Sequence, residues 1–396
     1  MKTNLAVFFG GRSVEHEVSI ISAVQAMNAL DREKYNVIPI YITKDAEMYT
    51  GPMLFFIENY RNMQYLLGTS SPVSIVRNGQ NVVMKYLKTG FLSRRKDVIL
   101  DVAFPIVHGT NCEDGALSGF LELLGLPYVG CDIISAAVGM DKAIYKDVLK
   151  NADLPVLPCY KFTSREYTLG HDEIVEKIIA EFGLPVIIKP VNLGSSVGIS
   201  KADTKEELIE AIDLAVKFSD LVLAERAVEN LREINCSVLG DRDECEASVL
   251  EEPVMHDKIL SYKDKYEGDG KTKGMASLSR KIPAELDEAT TQKIRTLSCE
   301  IFKALGCCGV VRIDYLMDEK TGEVFANEIN TIPGSLSFYL WDATGIKYPE
   351  LLDRLIQLAF KRQRNRDNLT FTIPTNILSG VSFGKMGAKG TKGSKF

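Results

Sequence analysis

VRIDYLMDEKTGEVFANEINTIPG, residues Val311 to Gly334, alternates apolar and polar side chains on both sides of a turn. In VRIDYL, Val311, Ile313 and Tyr315 share one strand face, and Arg312, Asp314 and Leu316 share the other. In VFANEIN the alternation predicts Val324, Ala326, Glu328 and Asn330 on one face, against Phe325, Asn327 and Ile329. The intervening DEKTG is turn material. Closing this hairpin brings Asp314 near Glu328 and Asn330, with Arg312 one pleat away. Hard oxygen ligands on facing strands suit a magnesium site, and a guanidinium among them suits a polyanionic nucleotide. The same pattern fits a surface hairpin with incidental charges, so the rest of the chain has to decide.

Upstream, LPVIIKPVNLGSSVGIS, Leu184 to Ser200, runs an apolar strand into Lys189 and then into a Gly-Ser-Ser loop. Backbone N-H groups of Gly194, Ser195 and Ser196 can wrap a phosphate, and a lysine adds a compact positive charge. No GK[ST] closes the loop and no helix follows it, which excludes a Walker A motif. The pattern predicts a hairpin folded over a nucleotide. TKEELIEAIDLAVKFS is an amphipathic helix capped by Thr204. The strand LVLAER then delivers Glu225, and EINCSVLG carries Glu233 at its start. Two carboxylates on neighbouring strand ends suit ribose hydroxyls, and suit plain surface equally. YKDKYEGDGKTKG, Tyr262 to Gly274, fits a loop that closes over a site and fits a disordered surface loop as well.

Near the start of the chain, NLAVFF ends in Gly10-Gly11 and is followed by SVEHEVSIISAVQAMNAL at helical spacing. A strand at Asn36 to Ile42 completes a β-α-β unit. Glycines at such a turn let a ligand approach the backbone. Glu15 lies in the first helical turn, where acidic residues ordinarily just favour the dipole. VILDVAFPIV at 98–107 predicts another buried strand. HGTNCEDG after it puts His108 and the pair Glu113-Asp114 at a strand-to-helix edge, where open parallel sheets bind ligands. Residues 1–130 therefore read as an open α/β domain, although 45–95 carry little pattern.

Composition bounds the remaining choices. A chain of 396 residues, 45% hydrophobic and 25% charged, is long enough for two or three globular domains. A net charge of -6 gives no case for nucleic-acid binding. No leader or membrane-length apolar run is evident, and eight cysteines without a CxxC pair fit reduced thiols in the cytoplasm. Lys385, Lys389, Lys392 and Lys395 among Gly, Ser and Thr mark a flexible basic tail.

Seven separated motifs, taken in order, closely resemble the D-alanine-D-alanine ligases of the ATP-grasp superfamily through most of residues 4 to 360. They are GGRSVEHEVS, HGTNCEDG, the MDK of Met140 to Lys142, IIKP with GSSVGI, the DKY ending at Tyr266, VRIDY, and NEINTIPG. The resemblance implies an α/β fold of three domains: an N-terminal open parallel-sheet domain at 1–130 and ATP-grasp subdomains at 131–226 and 227–375, before a tail at 376–396. It implies ATP gripped between the two subdomains, with Lys142, Lys189 and Lys265 on the phosphates and Ser196 in the flap over them. Glu233, with Glu225 nearby, falls where the family binds adenosine. Asp314, Glu328 and Asn330 match the ligands of two Mg2+ ions, with Mn2+ as a substitute. Arg312 and the Gly334 amide match the groups that stabilise the reacting oxyanion. Glu15 matches the residue that holds the first amino acid's ammonium, in a set with Ser195 and Tyr266; the dipole reading gives way to that role.

The expected reaction joins two D-alanines through an acyl phosphate, for peptidoglycan precursors, in a cytoplasmic enzyme that resembles homodimers. Two alternatives stay open. One is a D-alanine ligase with another acceptor, such as D-serine or D-lactate; the other is a non-catalytic ATP-binding regulator, against which Lys189, Arg312, Asp314, Glu328 and Asn330 count. One segment departs from the family. After NTIPG a serine and a Tyr-Pro usually precede Leu-Trp, whereas here SLSFYLW runs directly to Trp341, with Ser335 and Ser337 as candidate replacements at the acceptor pocket.

Overall fold

Leu5 to Phe9 are wholly buried and form the middle of the first strand, β1 (Thr3–Gly10). The computed structural model describes residues 2–87, 96–194, 197–253 and 280–376. Ser195, Ser196, Lys265, Tyr266 and the basic tail from 377 onward lie outside the described residues. Among the described residues, no helix is long and apolar enough to cross a membrane.

The first sheet continues through β2 (Tyr35–Ile42), β3 (Met48–Thr50), β4 (Ser71–Asn78), β5 (Asn81–Tyr86), β6 (Val98–Leu100) and β7 (Val102–Ile106). Only β2-β1-β7 is parallel; β3 to β6 add an antiparallel meander, of which β3 to β5 come from the stretch that carries little pattern. The run expected as one strand at 98–107 breaks at Asp101, whose N-H donates to Asn4 O at 3.0 Å. Its halves, β6 and β7, lie at opposite ends of the strand order, so the sheet curls until those ends meet. Gly10 has φ +93, and a Cβ there would lie 2.3 Å from Ile42 O. Only glycine fits that strand-to-helix turn.

The second sheet, ordered β10-β9-β11-β8, is antiparallel: β8 (Cys159–Thr163), β9 (Val186–Pro190), β10 (Ser200–Ala202) and β11 (Leu221–Arg226). The helix Lys205–Ala215 packs on it, and the Thr204 side chain caps that helix by accepting from Glu207 N. The third sheet, ordered β14-β13-β12-β15-β16, comprises β12 (Leu231–Gly240), β13 (Cys245–Pro253), β14 (Arg280–Lys281), β15 (Gly309–Asp318) and β16 (Val324–Asn330).

Two packings cross the order of the chain. Tyr145 and Leu149, on the helix Lys142–Asn151, join the third sheet's core with Ile234, Val311 and Ile313. The last helix, Tyr348–Asp367, buries Leu351, Leu352, Leu355, Ile356 and Ala359 against Leu5, Val7, Phe9 and Phe104 of the first sheet. Arg362 of that helix stacks 4.1 Å from the Tyr128 ring and donates to the carbonyls of Tyr128 and Gly130.

Candidate active site

The second and third sheets face each other across a cavity of about 370 Å3. Lys189, Glu225, Glu233, Asp314, Asn327 and Glu328 all line it. Each of these six comes from a strand and is held by sheet hydrogen bonds, while Ala227, Val228 and Glu229 line the cavity from the connection between β11 and β12.

Antiparallel pairing puts Asp314 opposite Glu328 and Arg312 opposite Asn330. The alternation expected for β16 is interrupted by a bulge: Tyr315 pairs with Ala326, leaving Asn327 as the extra residue. Val324 and Ala326 therefore enter the core with Ile329, whereas Asn327 and Glu328 both reach the cleft. The four-residue face predicted from simple alternation is corrected by that one inserted residue. Asn330 Nδ2 donates to Asp314 Oδ2 at 3.2 Å, and Arg312 grips both Asp314 oxygens at 2.6 and 2.7 Å. Burial pushes the Asp314 carboxyl upward; Arg312 opposes that shift and the Glu328 charge adds to it. Two crowded carboxylates and an amide oxygen are a hard donor set that a divalent cation would relieve. Among the described residues, no three His, Cys, Asp or Glu side chains form a complete cage, so such an ion would take its remaining oxygens from substrate or water.

The lysines stand around this end of the cleft. Lys142 reaches Glu328 at 3.3 Å and donates to Leu193 O at 2.6 Å, while Lys189 donates to Asn327 Oδ1 at 2.8 Å and to Glu225. Glu225 is wholly enclosed, with Lys146 at 2.7 Å on its second oxygen. Burial alone would raise its carboxyl; Lys189 and Lys146 reverse the sign and hold it at about 2. Lys146 was missed in the sequence, although it lies one helical turn beyond Lys142 on the same face.

Glu15 stands at the N-cap of the helix His16–Ala29, but its side chain does not cap it. Its carboxylate instead lies against two glycines: a Cβ on Gly109 would be 2.9 Å from it and one on Gly194 3.0 Å. That brings GGRSVEHEVS, HGTNCEDG and the Lys189 flap to one place. Glu113 ties in the hairpin end, accepting from Gly109 N at 3.1 Å, Ile332 N at 2.9 Å and Thr331 Oγ1 at 3.4 Å. Gly334 begins a turn in which Ser335, Leu336 and Ser337 have φ of 50, 54 and 49°. Left-handed backbone at non-glycine residues costs roughly 1–2 kcal/mol each. The turn is held by Ser335, whose N-H donates to Ser22 Oγ at 2.9 Å and whose hydroxyl donates to Gln25 Oε1 at 2.7 Å.

Burial and the neighbouring Glu15 charge raise the Glu113 carboxyl from 4.5 to about 7. A carboxyl raised on folding favours the folded state while protonated. Its contribution is present below pH 4.5 and is lost as pH rises through about 7. Between pH 5 and 8 the wild type is expected to lose stability relative to Glu113→Gln in urea melts. Parallel pH profiles would sink this assignment.

Comparison with known proteins agrees with this assembly of motifs. Residues 4–131 match the family model described as D-ala D-ala ligase N-terminus, and residues 148–357 match the one described as D-ala D-ala ligase C-terminus. The D-alanine-D-alanine ligase of Thermosipho melanesiensis is 37% identical over 383 residues, covering 96% of this chain and 99% of that protein. The one from Acetivibrio thermocellus is 40% identical over 380 residues, covering 93% and 98%. Among solved structures, the D-alanine-D-alanine ligase from Coxiella burnetii aligns with a TM-score of 0.79 at 30% identity over 92% of this chain and 96% of its own. The VanG D-Ala:D-Ser ligase from Enterococcus faecalis aligns with 0.76 at 31% identity over 91% and 100%. Matched along nearly its whole length, the chain belongs to the D-alanine-D-alanine ligase family.

Proposed function

We propose that this protein is an ATP-dependent ligase that joins two D-alanines into D-alanyl-D-alanine for peptidoglycan precursors. The observation that carries the reading, in a member of this family, is a cleft lined by Lys189, Asp314 and Glu328, with Lys142 on Glu328 and Arg312 and Asn330 on Asp314 behind it. The domains are read as 1–130, 131–226 and 227–375, with the nucleotide between the last two. A cytoplasmic homodimer belongs to the same reading.

In this scheme Lys142 and Lys189, with Lys265 and Ser196, hold the ATP phosphates. Glu233 takes the ribose, and Glu225 keeps Lys189 aimed. Asp314, Glu328 and Asn330 would hold two Mg2+ ions, or Mn2+ in their place. The bound metal supplies charge neutralisation on the phosphate oxygens. Glu15, with Ser195 and Tyr266, fixes the ammonium of the first D-alanine so that its carboxylate meets the γ-phosphoryl group. Carboxylate oxygen attacks phosphorus and ADP leaves, giving an acyl phosphate. The amine of the second D-alanine then adds to the acyl carbon, and phosphate departs. Arg312 and the Gly334 amide stabilise the oxyanion formed in between. Exclusion of water from the cleft limits hydrolysis of the acyl phosphate.

The test is the product itself. Purified protein with Mg-ATP and D-alanine, alone and with D-serine or D-lactate, is expected to release phosphate and form D-alanyl-D-alanine by mass spectrometry. No phosphate release with D-alanine alone would overturn the acceptor assignment. ATP binding without ADP formation, whatever the amino acid, would overturn the enzyme.

A further inference from the structure

The third sheet carries a row of side chains across four strands. Glu251 on β13 opposes Asn235 on β12, Asn235 opposes Asp314 on β15, and Asp314 opposes Glu328 on β16. Directly opposed residues of antiparallel strands share a face, so the whole row looks into the cleft side. Its β16 end belongs to the lysines and the metal ligands. The opposite end is closed by a polar cluster to which the scheme above gives no role.

Asn235 Nδ2 and the Tyr339 hydroxyl both donate to Glu251 Oε1 at 2.9 Å. Arg280 Nη1 lies 3.4 Å from Glu251 Oε2, and its guanidinium sits 4.5 Å over the Tyr339 ring. Glu251 is 2% exposed, whereas the Arg280 side chain keeps 13%. Asn235, which contacts Glu251, stands opposite Asp314, and Arg312 grips Asp314, so the cluster is tied to the Arg312 end of the cleft. Tyr339 belongs to SLSFYLW, the segment that departs from the family.

We propose that Arg280, aimed by Glu251 and Tyr339, binds the carboxylate of the acceptor amino acid. This inference rests on the ligase reading above. In the ligase reading the phosphates take the β16 flank, held by Lys142 and Lys189, which leaves the flank of β13 and β14 for the incoming acceptor. The acceptor is a zwitterion, and its carboxylate needs a cation on that side. Ser335 and Ser337, the expected replacements, are both buried, and the Ser335 hydroxyl is turned toward Gln25. A guanidinium stacked on an aromatic ring presents a rigid fork matched to a carboxylate. Arg280 is the binding residue; Glu251, Tyr339 and Asn235 are positioning residues.

The experiment is a competition in one tube between D-alanine and D-alaninamide as acceptors, with D-alanine as donor and the two products counted by mass spectrometry. The product ratio is internal and does not depend on how much enzyme remains active. The wild type is expected to favour the carboxylate acceptor at least about tenfold, the order of one charge-assisted hydrogen bond. Arg280→Met and Arg280→Gln are expected to shift the ratio toward the amide by about tenfold, and Arg280→Lys by less. Tyr339→Phe is expected to shift it partway, with the KM for ATP within about twofold of wild type. A wild type indifferent to the amide overturns the proposal, as does an unchanged ratio in either charge-removing variant. Absence of any dipeptide from the wild type would instead overturn the ligase reading on which it stands.

Discussion

Glu328→Ala is expected to lower kcat by at least about a thousandfold while leaving a folded protein. The residue sits at the bulge of β16, opposite Asp314 and 3.3 Å from Lys142, with about a quarter of its side chain exposed. Removing it takes away one of only two carboxylates in the proposed ion site, and with it the position of the phosphate oxygens that the ion would hold. The core behind it is made by Val324, Ala326 and Ile329, which the substitution does not touch. Turnover at saturating Mg2+ and a thermal melt together check the prediction. Unchanged turnover with normal magnesium dependence would refute the assigned role, and a collapsed melt would mean the residue is structural.

Glu225→Gln is expected to cost about 3–5 kcal/mol of stability, because it strands two buried ammonium groups without their counter-charge. Lys189 and Lys146 have little contact with water, and both point at this one carboxylate. Its pH dependence has a definite sign. The folded carboxyl is held at about 2 against 4.5 in the open chain, so its contribution is present above pH 4.5 and is lost as pH falls toward 2. Urea titrations at pH 7, 5 and 3.5 are expected to show a wild type that loses part of its advantage over Glu225→Gln only in the most acid of these. A difference below about 1 kcal/mol at pH 7 would show that the lysines relax or deprotonate at little cost.

The motifs that carry charge at strand ends were readable from the sequence because a period of two tells which side chains travel together. Asp314 and Arg312 are an instance: nothing interrupts β15 between them. The bulge at Asn327 was not readable, since an extra residue changes the face without changing the composition. The meander at β4 and β5 was available in principle. Its strands flank Asn78-Gly79, a common hairpin signal, and Val73 and Ile75 alternate correctly, but the strands are partly open and polar. The contacts of Glu113 and Glu251 were hidden for a different reason. Their partners lie on other elements, at Thr331 and Ile332 for the first and at Asn235, Arg280 and Tyr339 for the second, and no local spacing announces such meetings.

Because the helix Tyr348–Asp367 covers the sheet that begins at Thr3, the two ends of the described chain are stitched together, down to a 2.5 Å bond between the Tyr35 hydroxyl and Asp353. A ribosome makes Leu5, Val7 and Phe9 long before their cover. One face of the first sheet must therefore wait, apolar and unsheltered, until more than three hundred further residues have been synthesised. Removing the last helix by an early stop is expected to leave a chain that collects in the insoluble fraction, even though the cleft residues from Glu15 to Asn330 are all still encoded.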